Sequence, residues 1–130
     1  MVNGLNNAAN AIHRDNVIKG HWQDNRQIGT LLMLCVSELS EAMEADRKNK
    51  YVDKTIYKKA EGFSSSMLAE DRSKYLKGVF ENTIKDTFED EMADTVIRIL
   101  DICGKMKIDI EWHIVKKLEY NKLRFEEKKY

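Results

Sequence analysis

Apolar residues recur at helical spacing in four separate stretches of this 130-residue chain. In the first, from about Asn3 to Ile18, Leu5, Ala8, Ala9 and Ile12 mark a single stripe. Gly20 breaks that pattern, and His21, Trp22 and Gln23 predict a turn. The second stretch, about Asn25 to Lys48, carries Ile28, Leu31, Leu32, Cys35, Val36, Leu39, Ala42 and Met43. Its stripe is wide, which predicts a helix buried on much of its surface. The third, about Asp86 to Lys105, has Phe88, Met92, Val96, Ile99 and Cys103 as its core stripe. Asp86 or Thr87 suits its N-cap, the acids at 86, 89, 90 and 91 suit the positive end of the helix dipole, and Gly104 suits its end. The fourth follows Ile108, with Asp109 as N-cap, and runs to about Phe125 with Ile110, Ile114, Leu118 and Tyr120 facing inward.

Between the second and third stretches, from Asn49 to Lys85, the pattern weakens. Gly62 and the serines at 64–66 predict a loop, and Leu68, Tyr75, Leu76, Val79 and Phe80 a short amphipathic helix after it. A structureless loop of this length is uncommon in a compact domain. The segment therefore reads as a partly ordered insertion. The expected architecture is all-α, a single domain over residues 1–130 with an insertion at about 49–85.

Composition supports that picture and narrows the partners. There is no proline, which fits long uninterrupted helices. The apolar share of 42% and charged share of 34% belong to an ordinary folded chain with a highly charged surface. The formal net charge is zero, which argues against a nucleic-acid partner despite the basic stretch from Lys116 to Lys129. The longest apolar run, Ile28 to Val36, contains Gly29 and Thr30 and falls far short of the ~20 residues of a membrane span. No membrane association is expected. Asn3, Asn6, Asn7 and Asn10 interrupt any secretory-type apolar opening. Cys35 and Cys103 each lie inside an apolar helical pattern and read as reduced, buried side chains. The expected location is cytoplasmic.

The candidate chemistry lies in two pairs of acids. Glu38 and Glu41 are three apart on the second helix, and Glu91 and Asp94 three apart on the third. That spacing puts each pair on one helical face, one turn apart. Both pairs flank the apolar stripes instead of opposing them, and helices packed antiparallel would bring the pairs together. Four converging carboxylates repel unless cations neutralise them. All-oxygen donors suit a hard divalent ion, Mg²⁺ or Mn²⁺, and the lack of a nearby histidine or thiolate pair argues against zinc. Glu111 and His113 are two apart and do not make the helical Glu-x-x-His pair of a di-iron bundle.

In order and spacing, "HRDNVIKGHW…IGTLLMLCVSELSEAMEADRK", "DTFEDEMADTVIRILDICG" and "YNKLR" resemble the MazG-type all-α nucleoside triphosphate pyrophosphohydrolases. The resemblance covers about residues 8–48 and 85–125. It rests on the paired signature Glu38-Leu-Ser-Glu41 and Glu91-Met-Ala-Asp94. It implies a bundle of four to five helices completed by dimerisation, as a homodimer or homotetramer. It implies hydrolysis of a (d)NTP to the monophosphate and pyrophosphate, with Mg²⁺ on Glu38, Glu41, Glu91 and Asp94. By matching, His13 and Trp22 line the nucleotide pocket, and Lys117, Asn121 and Arg124 contact phosphates. Three departures stand out: the long segment 49–85, the basic Lys48 and Arg98 where some members carry aromatics near the base, and Phe125 where the motif often continues with proline. Base preference therefore does not carry over.

Phosphoanhydride hydrolysis needs neutralised phosphates, an in-line water and a base. Glu41 is the first candidate for that base and Glu38 the second. Glu44 and Asp101 extend the acidic stripes and are expected to orient the ligands from behind. The alternatives are a related phosphoribosyl-ATP or dUTP/dCTP pyrophosphohydrolase, or an inactive helical dimerisation module.

Overall fold

The computed structural model describes residues 3–128; Lys129 of the basic C-terminal stretch lies outside them. Among the described residues there are six α-helices and no strand: α1 Leu5–Ile18, α2 Ile28–Arg47, α3 Lys54–Phe63, α4 Ala69–Thr83, α5 Phe88–Met106 and α6 Ile110–Glu127. The all-α expectation holds. The chain forms two compact units, one from the segments up to Leu32 and from Val96 onward, the other from Met33 to Thr95. Helices α2 and α5 contribute residues to both.

In the first unit, Ala9, Leu100 and Cys103 form a buried cluster, with Leu5, Ala8, Ile12, Ile108 and Ile110 packed around it. This is the α1 stripe read from the sequence. Gly104 serves a different purpose from the expected helix end. It lies inside α5, where an added Cβ would fall 2.5 Å from the Ala9 carbonyl oxygen and 2.6 Å from the His13 Cβ. The missing side chain lets α1 lie against α5. Helix α5 ends two residues later at Met106, and Lys107 turns the chain with φ 54°. Asp109 caps α6 as expected, accepting from the Trp112 N–H at 3.1 Å. Asn6 ties α1 to this cap, donating to the Asp109 carboxylate at 2.8 Å.

In the second unit the stretch expected to be only partly ordered is a helix–turn–helix. Asp53 caps α3 by accepting from the Thr55 N–H at 2.9 Å. Ile56, Tyr57, Ala60 and Phe63 recur at helical spacing among the charges of α3, and Gly62 sits tolerably in its last turn. The serines expected to form a loop make a 3-10 turn, Ser64–Ser66. There the fully buried Ser64 hydroxyl donates to the Ala60 carbonyl at 2.7 Å. Helix α4 returns beside α3, with Tyr57 edge-on to Phe80 at 6.4 Å. The segment before α3 is laced to the start of α5. The Phe88 N–H donates to the Lys50 carbonyl, and the Val52 N–H to the Glu89 carboxylate, both at 2.9 Å. Thr87 is the α5 cap, accepting from the Asp90 N–H at 3.3 Å.

The expected core was too generous. On α2, Leu31, Cys35, Ala42 and Ala45 are buried, whereas Ile28, Leu32, Val36, Leu39 and Met43 remain 45 to 53% exposed. The two sets form adjoining stripes, so a wide apolar face does not imply that one chain covers all of it. Met92, Val96 and Ile99 on α5 and Leu118 and Tyr120 on α6 are likewise exposed. Both cysteines are free and buried. No helix among the described residues is long and apolar enough to cross a membrane.

Candidate metal centre

Glu38 shares its helical face with the buried Cys35, Ala42 and Ala45, which draws its carboxylate inward. Glu91 lies one turn into α5 between the buried Thr87 and Thr95. The two glutamates are only 8% and 5% exposed. Carboxylate oxygens of Glu38, Glu91 and Asp94 come within 4.8 Å of one another, and Asp94 is the most accessible of the three. Glu41, one turn from Glu38, is exposed and hydrogen-bonds with both Glu38 and Glu91. All four signature acids therefore meet within one compact unit.

Their electrostatics reflect the crowding. The hydrogen bond and negative charge of Glu38 push the Glu41 carboxyl above its ordinary value. Burial pushes Glu91 up to about 7, and the charges of Glu41, Asp94 and Glu38 add to the rise. Charge is being held where protons are favoured, which is the condition a divalent cation relieves. The donors are oxygen only, so they fit a hard cation of the Mg²⁺ or Mn²⁺ type.

A cleft of about 390 Å³ borders the cluster, lined by Glu41, Asp86 and Glu91 together with Lys48 and Lys50. Lys48 reaches Glu44 at 3.3 Å, and Arg47 reaches the same carboxylate at 3.6 Å. Glu44 thus anchors cations at this rim. Sequence reasoning missed the second acidic group, in which Asp86 and Asp90 bring oxygens within 4.8 Å of each other and of Glu91. Their i, i+4 spacing was the available signal. Asp90 accepts from the Asp86 N–H at 3.0 Å, which gives it a local structural role.

The other predicted residues gather in two groups, both in the first unit. His13 and Trp22 meet around Asp101. A carboxylate only accepts, so His13 donates from Nδ1, at 2.8 Å. The Trp22 indole N–H donates to the same carboxylate at 3.0 Å, and Asn16 at 2.9 Å. The rings of His13 and Trp22 stand edge to face at 5.0 Å, and the Lys105 ammonium lies 5.7 Å from the Trp22 ring centre. Asp101 was expected to act behind the metal ligands; here it is the hub that fixes His13 and Trp22. Asn16 was missed, although its i+3 spacing from His13 on α1 marked it. On α6, Lys117 and Arg124 flank the Tyr120 ring at 5.1 and 5.8 Å, and Asn121 is exposed beside them. No family model, no curated protein and no solved structure matches this chain.

Proposed function

We propose that this protein is a Mg²⁺-dependent nucleoside triphosphate pyrophosphohydrolase that releases pyrophosphate and a nucleoside monophosphate. The observation that carries the reading is the convergence of Glu38, Glu91 and Asp94, the first and second nearly buried, in a single oxygen-donor cluster, with Glu41 as its charged neighbour. The family resemblance of their two motifs supplies the reaction class.

Glu38, Glu91 and Asp94 would hold the cation, and Glu41 shares in it from the solvent side. A bound divalent ion supplies charge neutralisation on the phosphates and acidifies water. Glu41 is exposed at the edge of the cluster, and to the extent that it is not engaged with the cation it would orient or deprotonate the attacking water as the general base. Lys48 and Lys50 line the neighbouring cleft and offer cations to phosphate oxygens. Asp101 holds His13 through Nδ1 and Trp22 by its N–H edge, and the place of both in the nucleotide pocket rests on the resemblance. Lys117, Asn121 and Arg124 are offered as phosphate contacts on the resemblance alone.

The chain works as a homo-oligomer in this reading. The stripe Ile28, Leu32, Val36, Leu39 and Met43 runs the length of α2 with about half its surface exposed, and a second copy is the occupant it suits. The test is a panel of canonical and modified (d)NTPs incubated with Mg²⁺ and scored for pyrophosphate. Release from at least one substrate, abolished in Glu41→Gln, is expected. Release of orthophosphate instead, or activity in Glu41→Gln equal to wild type, would sink the reading.

A further inference from the structure

Asp101 accepts more hydrogen bonds than a tie between two helices requires. It stands on α5 with 14% of its side chain exposed, and its two oxygens serve three residues. His13 Nδ1 lies 2.8 Å from one oxygen, and the Asn16 amide 2.9 Å from the other, one turn apart on α1. The Trp22 indole N–H is shared between both oxygens, at 3.0 and 3.1 Å. Trp22 lies outside any helix, and the end of α1 delivers it. Gly20 takes a left-handed φ of 83°. Its N–H donates to the Val17 carbonyl and the His21 N–H to the Asn16 carbonyl, both at 3.0 Å. This pair of bonds is a Schellman reversal, which turns the chain back so that Trp22 reaches Asp101. Lys105, one turn along α5 from Asp101, sets its ammonium 5.7 Å from the Trp22 ring centre.

The consequence falls on His13. A carboxylate only accepts, so the proton between the two groups sits on Nδ1, and in the neutral ring Nε2 is left as a lone-pair acceptor. Among the described residues nothing hydrogen-bonds to Nε2, and the one buried side-chain polar atom without a partner is Arg72 Nε, so Nε2 is within reach of solvent. The His13 side chain is 19% exposed. A ring gripped at one nitrogen and open at the other presents a single acceptor in a fixed place, which is how a supporting carboxylate prepares a binding group. We propose that Asp101 is a positioning residue that fixes His13 with its proton on Nδ1, so that Nε2 accepts an N–H from the base of the substrate. An acceptor there attracts an N–H and repels a carbonyl oxygen or an unprotonated ring nitrogen. The substrate class is therefore a nucleotide whose base offers an N–H at that edge. The identity of the ligand rests on the reading in which His13 faces the nucleotide; the tautomer and its cause do not.

The experiment is nitrogen-15 NMR of the histidine rings in the labelled full chain, free and with non-hydrolysable (d)NTPs of each base plus Mg²⁺. In the free wild type the His13 proton should sit on Nδ1, and at least one nucleotide should shift Nε2 while Nδ1 keeps its proton. In Asp101→Asn the new amide can donate to Nδ1, so the ring proton should move to Nε2 and replace an acceptor by a donor. Affinity for that nucleotide should then fall roughly tenfold or more. Inorganic tripolyphosphate with Mg²⁺ should bind both proteins equally, which a variant that was merely unfolded would not do. His13→Phe should lose as much affinity, and adding Asp101→Asn to it should cost less than about threefold more. A proton on Nε2 in the free wild type, no nucleotide that moves Nε2, an Asp101→Asn variant that binds nucleotide like wild type, or additive losses in the double variant would each overturn the proposal. The first two need no variant to fold. The expected pattern without pyrophosphate release from any triphosphate would leave the role of Asp101 standing and remove the hydrolase reading alone. Pyrophosphate release with no nucleotide that moves Nε2 would do the reverse.

Discussion

Replacing Glu91 by glutamine should stabilise the metal-free protein at alkaline pH, although the residue is nearly buried in the candidate active centre. Burial and three neighbouring acids raise its carboxyl from 4.5 to about 7. A carboxyl raised in the folded state stabilises the fold fully below its unfolded value, and that contribution is lost as pH climbs through the folded value. For Glu91 the loss spans pH 4.5 to 7 and amounts to about 3 kcal/mol, at 1.36 kcal/mol per pH unit. Above pH 7 the wild type carries this cost and a neutral, isosteric glutamine does not. In chelator at pH 8, Glu91→Gln should therefore exceed wild type by up to ~3 kcal/mol, or on the order of 10 °C in melting temperature. At pH 4.5 the two should coincide. Saturating Mg²⁺ at pH 8 should stabilise the wild type and close most of the gap, because the cation takes over the role of the proton. Urea denaturation at fixed protein concentration, at both pH values, with and without Mg²⁺, reads all of these. A glutamine variant no more stable than wild type at pH 8 in chelator would refute the electrostatic reasoning. So would equal stabilisation of both proteins by Mg²⁺.

Asp101→Ala should lower stability by about 2 kcal/mol, since it strips the part-buried Trp22 N–H, His13 and Asn16 of their shared acceptor. Denaturation followed by Trp22 emission, in a Trp112→Phe background, measures both the loss and the freed indole. Gly104→Ala should cost about 1–3 kcal/mol by overpacking, because its Cβ would lie 2.5 Å from the Ala9 carbonyl; a thermal shift below that range would contradict the close approach of α1. Val36→Asp on the exposed α2 stripe should convert the proposed homo-oligomer to monomers while helical content persists, which light scattering and circular dichroism read together. A wild type that is already monomeric, or unchanged mass in the variant, would contradict the proposed α2 interface.

Much of the helical frame was legible because four apolar stripes and their caps speak through local spacing. Asp109 as N-cap and the α1 stripe are direct examples. The acidic pairs were legible for the same reason, since three-residue spacing along a helix fixes the face. What spacing does not show is which chain covers a face, and so Val36 and Met92 read as core yet lie exposed. Gly104 looked like a helix terminator because nothing local distinguishes an end from a close approach by α1. Helix α3 escaped notice because its apolar positions are few and set among charges, and its order comes from packing against α4. Asp101 lay on a legible stripe, but its partners stand 79 to 88 residues away, beyond any local pattern.

The measurement that bears most directly on the four-carboxylate centre is pyrophosphate release from a (d)NTP panel as a function of Mg²⁺, by wild type and Asp94→Asn. Wild type should release pyrophosphate and monophosphate in equal amounts, in strict dependence on the cation. Asp94→Asn, with its helices intact by circular dichroism, should release none. Cation-independent release, or an Asp94→Asn variant as active as wild type, would contradict the metal centre proposed here.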